Sequence, residues 1–264
     1  MEPMVNIALR AARKAGEQIV RASDDLDRIE VATKGRNDFV SEVDRAAERE
    51  IVYQLKKAYP DHAFLGEEGG LQGDENAEYR WVIDPLDGTT NFLRGIPHYA
   101  VSIACLYKGK VEHAVIVDPV RREEFTASRG RGAALNGRRI RVSERHTLDG
   151  ALLGTGIPFR NHCDDVLTPY AKSIEVLAGQ CAGIRRAGAA SLDLAYVAAG
   201  RLDAFWEKGL SIWDIAAGAL LVREAGGLIS DFSGADKHLE NGDVVCGNPK
   251  CFKAVLQATR PLLG

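Results

Sequence analysis

Twelve residues, Trp81 to Phe92 (WVIDPLDGTTNF), constrain this chain more than any other segment. The apolar run Trp81–Ile83 reads as a strand that ends in two carboxylates, Asp84 and Asp87, separated by Pro85 and Leu86. Gly88, Thr89 and Thr90 follow at once and read as the opening of a helix. A strand end, paired acids and a helix N-terminus together make a place where hard cations can meet a phosphate. Carboxylates are the oxygen ligands that Mg²⁺ takes, and the free N–H groups of a helix start favour phosphate oxygens. Pro85 removes a donor and fixes one backbone angle, which stiffens the turn and lets the Leu86 carbonyl aim at a metal too. Taken alone, Asp-Pro and Asp-Gly are also ordinary corner residues. Matching acids elsewhere shift the balance toward chemistry.

Glu67 and Glu68 follow the apolar run Ala63–Leu65 in a Gly-Glu-Glu-Gly-Gly turn, Asp214 opens an otherwise apolar helix, and Asp44 lies in the first turn of another. Each has a plainer reading: solvated loop acids for the glutamates, a dipole-favoured first-turn acid for Asp214, a capping partner for Asp44. Yet Glu67, Asp84, Asp87 and Asp214 all fall at edges of apolar elements, where strand ends and helix starts can converge. Carboxylates gathered there repel unless cations neutralise them. Two or more Mg²⁺ ions would do so, and such a site asks for a polyanionic substrate, with a phosphate ester the obvious candidate.

The totals fit this reading. A chain of 264 residues with 45% hydrophobic residues and net charge −3 is that of an ordinary globular protein with one large domain or two intimate halves. No apolar run approaches the roughly 20 residues of a membrane span. The basic N-terminal segment has the periodicity of an amphipathic helix and not of a secretion signal. The five cysteines include no CxxC pair, which argues for reduced thiols in a cytoplasm and against zinc.

The helical stripe Val5–Ile19 and a capped helix over Glu42–Ala58, with Ser41 as N-cap, precede a run of short strands between Trp81 and Ser128 with the rhythm of an antiparallel meander. From Ala151 onward strands and helices alternate, which implies a sheet covered by helices. The expected division is an N-terminal half over residues 1–145, carrying the acidic turn, and a C-terminal α/β half over 146–264, supplying Asp214 and substrate contacts, packed as one unit.

With these residues in view, the chain resembles the inositol monophosphatase family of lithium-sensitive, Mg²⁺-dependent sugar phosphatases. WVIDPLDGTTNF looks like its first signature and WDIAAGALLVREAGG (Trp213–Gly227) like its second. Gly66-Glu67-Glu68 and the order of elements agree, so the resemblance spans essentially the whole chain. The N-terminal segment and Arg185–Glu207 look like the bacterial SuhB branch. The resemblance implies an α+β fold layered α-β-α-β-α, with two sheets covered by helices, and a homodimer. It implies two or three Mg²⁺ ions per site, held by Glu67, Asp84, Leu86 (through its carbonyl), Asp87 and Asp214. Thr89, with Asp44 and Glu67, would position and activate the attacking water. Asp87, Gly88, Thr89 and Lys34 would meet the phosphate side of the substrate, and Ala190 and Glu207 the polyol. Where relatives commonly carry Ser after the second Glu, this chain has Gly69, which gives the loop more freedom. The motifs hold no covalent nucleophile, so the expected reaction is direct hydrolysis by metal-activated water, with inositol 1-phosphate as the default ester and Li⁺ as an inhibitor. Specificity is expected from Ile157–Asp165, Arg185–Ala190 and Glu207.

A different class of function stands beside this one. SuhB-type proteins are associated with ribosomal RNA transcription antitermination, with Nus factors and RNA polymerase as partners, and the two roles can coexist. Eight arginines between Arg121 and Arg145 offer a surface for it. They read more readily as the solvated faces of a hairpin, and without interleaved aromatics they give direct RNA binding little support.

Overall fold

The computed structural model describes residues 2–29, 31–35, 38–158 and 164–264. Cys163 and part of the expected specificity segment lie outside them. So do the side chains of residues 31–40, and with them the expected phosphate contact of Lys34.

The first half opens with α1 (Pro3–Ala22), a hairpin of β1 (Val31–Gly35) and β2 (Asp38–Ser41), and α2 (Glu42–Ala58). Strands β3 (Ala63–Gly66), β4 (Gly70–Gln72) and β5 (Tyr79–Asp87) lead to the short α3 (Thr89–Leu93). Then come β6 (Ala100–Tyr107), β7 (Lys110–Asp118), β8 (Glu123–Ser128), β9 (Gly132–Leu135) and β10 (Arg138–Arg139). Strands β3 to β10 form one eight-stranded sheet in the order β10-β9-β8-β7-β6-β5-β3-β4. From β5 to β8 it is the expected meander, which β9 and β10 extend. The departure is β3, which pairs β5 in parallel because the antiparallel β4 and the loop after it carry the chain back to the end where β3 began.

The second half contains β11 (Leu152–Thr155), α4 (Asp164–Ala178), β12 (Gly183–Arg185), α5 (Ala190–Ala198), β13 (Ala204–Glu207) and α6 (Ile212–Glu224). It closes with β14 (Leu228–Ser230), α7 (His238–Asn241), β15 (Val244–Gly247) and α8 (Pro249–Leu263). Its five strands form a mixed sheet in the order β12-β11-β13-β15-β14.

Alternating side chains divide each sheet between two cores. Trp81, Ile83, Ile103 and Val115 face α1 and α2, together with Val5, Leu9, Ile19, Ile51 and Leu55. Val82, Ala104, Ile116 and Phe125 face the other way, onto α5 and α6, and share that core with Phe205, Cys246 and Ile229 of the smaller sheet. Leu153, Trp206 and Val245 on the far face of the smaller sheet meet Tyr170 of α4 and Val255 of α8. The result is five layers, α-β-α-β-α, with α5 and α6 in the middle. Cys105, Cys181, Cys246 and Cys251 are free thiols. Among the described residues no helix is long and apolar enough to cross a membrane.

Candidate active site

Strand β5 delivers two carboxylates through a defect. Residues three apart on a regular strand face opposite sides. Here the register against β6 slips by one between Asp84, opposite Ser102, and Asp87, opposite Ala100. Pro85 sits in the slip, where it has no N–H to lose from the ladder, and a one-residue bulge of this kind re-aims side chains. Asp84 Oδ1 takes the Leu86 N–H at 3.0 Å and locks the bulge. Gly88 then ends the strand with φ of 93°, in the left-handed region, and a Cβ there would lie 3.0 Å from the His98 carbonyl oxygen. Both facts call for glycine.

Three other elements bring their acids to the same end of the sheet. Glu67 lies in the β3–β4 turn, its N–H donating to the Ile83 carbonyl one residue before Asp84 (3.1 Å). Asp44 is the third residue of α2 and closes a capping box: the Ser41 N–H donates to its Oδ2 at 2.8 Å. Asp214 holds the same place in α6, accepting the Ser211 N–H at 2.7 Å. Asp44 is the capping partner expected and Asp214 is a first-turn acid that caps as well, and both carboxylates also face the site. Thr89 Oγ1 lies 2.9 Å from Asp44 Oδ1 and 3.0 Å from the Leu86 carbonyl, with one proton for these two acceptors.

The electrostatics follow from crowding. Asp84 is 1% exposed, and its carboxyl is pushed well above the ordinary carboxylate range by burial first, then by Glu67, Asp87 and Asp214. Burial lifts Asp87 to about 6 against the opposing pull of the Ser191 hydroxyl and N–H. Glu207, at the end of β13, is raised by burial and then by Asp193, Asp214 and Asp87, with Arg186 opposing. Six acids thus share one buried region, with Arg186 as the named opposing cation. Ala190 begins α5, the helix whose Ser191 N–H holds Asp87 at 2.7 Å.

The donors suit Mg²⁺ by chemistry: several carboxylates and a backbone carbonyl, all hard oxygens. Asp84, Asp87 and Asp214 each give an oxygen to an N–H group, and among the described residues no three His, Cys, Asp or Glu side chains are closed into a ready cage. The fit is therefore one of donor type and shared burial.

Four residues of the region escaped the sequence reading. Ser191 anchors Asp87, and Asn91 Nδ2 donates to the carbonyls of His98 (2.8 Å) and Ala187 (2.9 Å), joining the two halves. Asp193 is buried beneath the site, the only charge in an apolar helix, a signal as readable as that of Asp214. Glu48, buried on α2, accepts the N–H groups of Glu68 and Gly69. The loop freedom expected of Gly69 is therefore offset by a tether.

Fold and site define a class: a five-layered phosphatase with an acidic, cation-seeking centre at the ends of β3 and β5. The inositol monophosphatase family matches residues 1–262, and the chain belongs to it. The Nus factor SuhB of Pseudomonas aeruginosa is 67% identical, the match covering 100% of this chain and 98% of the relative. The extragenic suppressor protein suhB of Bartonella henselae superposes with a TM-score of 0.94 at 43% identity, covering 98% of this chain and 99% of its own. The inositol monophosphatase of Anabaena (Nostoc) sp. PCC 7120 gives 0.85 at 34% identity, over 98% and 95%.

Proposed function

We propose that the chain hydrolyses a small phosphate monoester, inositol 1-phosphate first among them, with Mg²⁺ as cofactor. The observation that carries this reading is the burial of Asp84, Asp87 and Asp214 beside Glu67, with Thr89 held between Asp44 and the Leu86 carbonyl. Glu67, Asp84, Asp87, Asp214 and the Leu86 carbonyl would hold two or three ions. Bound there, Mg²⁺ neutralises the phosphate and makes water easier to deprotonate.

The chain's own groups do the positioning. Asp44 is fixed through Oδ2 by its cap and keeps Oδ1 for Thr89, so the Thr89 hydroxyl is aimed and can take a proton from the attacking water while passing its own to Asp44. Gly88 and Thr89 would offer backbone N–H groups to the phosphate, and Lys34 is the further contact that the family resemblance implies. Ala190 and Glu207 would meet the polyol. Ser191 holds Asp87 in place. Phosphoryl transfer needs mainly alignment and charge neutralisation, and this arrangement offers both.

The test is phosphate release from inositol 1-phosphate across a Mg²⁺ titration, with Asp87→Asn as control. Metal-dependent release that the substitution abolishes is the expected result. Absence of release at every Mg²⁺ concentration would remove this ester, and full activity of Asp87→Asn would remove Asp87 from the mechanism.

A second role is favoured by the name of the Pseudomonas aeruginosa relative, Nus factor SuhB, at 67% identity over the whole chain. In this reading a homodimer works with Nus factors and RNA polymerase while the phosphatase centre stays intact. Arg138 and Arg139, exposed on the edge strand β10, offer a contact surface. Salt-dependent retention on RNA that is lost on replacing Arg138, Arg139 and Arg141 would make that contact a nucleic-acid one. Retention unchanged by the triple replacement would point to protein partners elsewhere on the surface.

A further inference from the structure

We infer that Glu48 is a positioning residue for the Glu67 loop, and that α2 sets two parts of the site from one rigid support. The inference rests on the reading of Glu67 as a metal ligand.

The geometry begins with spacing. Asp44 and Glu48 are four residues apart on α2, so they share a face, one turn from each other. Asp44 reaches Thr89. Glu48, 4% exposed, reaches the β3–β4 turn, where Oε2 accepts the Glu68 N–H at 2.8 Å and Oε1 the Gly69 N–H at 2.7 Å. The Glu67 N–H is itself bonded to the Ile83 carbonyl at 3.1 Å. Three successive N–H groups, at residues 67, 68 and 69, are thus fixed from two sides, and the Glu67 side chain leaves from a backbone with little freedom.

Two glycines make room for this clamp. A Cβ on Gly66 would lie 2.3 Å from the Glu48 carboxyl carbon, and one on Gly69 would lie 2.7 Å from Oε1. The Glu48 carboxylate therefore fills the space that side chains would take on either flank of Glu67. Burying a carboxylate is costly unless it is hydrogen-bonded, so the loop conformation that supplies both N–H groups stabilises Glu48 in return. Groups that orient metal ligands act in this way, and their loss typically weakens metal affinity about 10–100-fold.

Glu48→Gln is the informative variant, since it keeps the shape but sets an amide NH₂ against a backbone N–H donor. The whole protein would be compared with Glu48→Gln and Glu48→Ala by Mg²⁺ titration calorimetry, by the Mg²⁺ concentration giving half-maximal phosphate release, and by amide exchange over residues 63–72. Expected are at least about tenfold weaker Mg²⁺ binding, a matching rise in the half-maximal concentration, kcat restored at saturating Mg²⁺, and faster exchange at Glu68 and Gly69. A residue that merely braced the fold would lower the melting temperature without moving Mg²⁺ affinity. Unchanged Mg²⁺ binding in a folded Glu48→Gln protein would overturn the inference. If the wild type binds Mg²⁺ but releases no phosphate, the hydrolytic reading fails while the calorimetric shift still decides the role of Glu48. Should both variants unfold, wild-type exchange decides: protected Glu68 and Gly69 amides support the clamp, and amides exchanging as freely as an open loop overturn it.

Discussion

Helices α2 and α6 open alike and live differently. Each begins with a Ser-x-x-Asp capping box, Ser41 with Asp44 and Ser211 with Asp214, and each sends its aspartate to the same centre. Helix α2 lies on the outside of the large sheet and buries one face, with Asp44 and Glu48 among its inward residues. Helix α6 lies between the two sheets, buried continuously from Asp214 to Val222. Asp214 sits among Asp84 and Glu207 and raises both, whereas Asp44 is turned to a hydroxyl. One local motif thus serves two ends: on α6 the cap places a charge among like charges, and on α2 it aims a neutral group.

The strongest way to break this contrast is to neutralise each aspartate. Asp214→Asn is expected to abolish Mg²⁺-dependent phosphate release and to weaken Mg²⁺ binding in calorimetry. Asp44→Asn is expected to lower kcat at saturating Mg²⁺ with little change in metal affinity. Equal losses of Mg²⁺ affinity would erase the distinction.

Acid tests the buried surroundings of α6 next. His238 of α7 is 2% exposed, and burial, with Arg223 of α6 second, lowers its pKa to about 4. Its Nδ1 stands 3.3 Å from Asp236 without hydrogen-bond alignment. Between about 6.5 and about 4 the unfolded chain binds the His238 proton and the folded chain does not, so the His238 contribution to stability falls as pH falls through that window, while the raised Asp87 contributes in the opposite sense. The loss is on the order of 3 kcal/mol at about 1.4 kcal/mol per pK unit, and His238→Gln is expected to flatten it in melts run from pH 7 to 4.

Packing gives a smaller effect. A Cβ on Gly218 of α6 would lie 2.4 Å from Leu194 Cβ of α5, so Gly218→Ala is expected to cost about 1–3 kcal/mol. Arg45→Ala on the exposed face of α2 should stay within about 0.5 kcal/mol. Denaturant melts would compare them, and similar costs would mean that the central helix is no more tightly held than the outer one. The caps come last: Ser41→Ala and Ser211→Ala are each expected to cost about 1 kcal/mol, with Ser41→Ala also loosening Asp44 and so lowering turnover.

The same contrast explains what the sequence discloses. Asp214 stands out because the residues after it are apolar for two turns, and a charge there invites explanation. Asp193, alone in the equally apolar α5, carried that signal and was passed over. Glu48 carried a weaker one: α2 also holds Glu42, Arg45, Arg49 and Glu50, and only its helical spacing from Asp44, Ile51, Val52 and Leu55 marks it as the charge that faces inward. The strand-end motif placed Asp84 and Asp87 on one strand, but the slip that turns both toward one side is a matter of register against β6, set by distant residues. The meander and the helix boundaries followed local periodicity, while the parallel β3–β5 pairing is set by the path of β4 between them, which periodicity does not report.

Asn91 binds the Ala187 carbonyl and Ser191 binds Asp87, so the two halves meet inside the site and not beside it. On the ribosome, which emits the N-terminal half first, this has a consequence in time. A nascent chain that has displayed the whole of WVIDPLDGTTNF still lacks the clasp at 187–191 and the acid at 214. Until those residues emerge the acidic centre is incomplete, and whatever it binds must wait for the C-terminal half to be made.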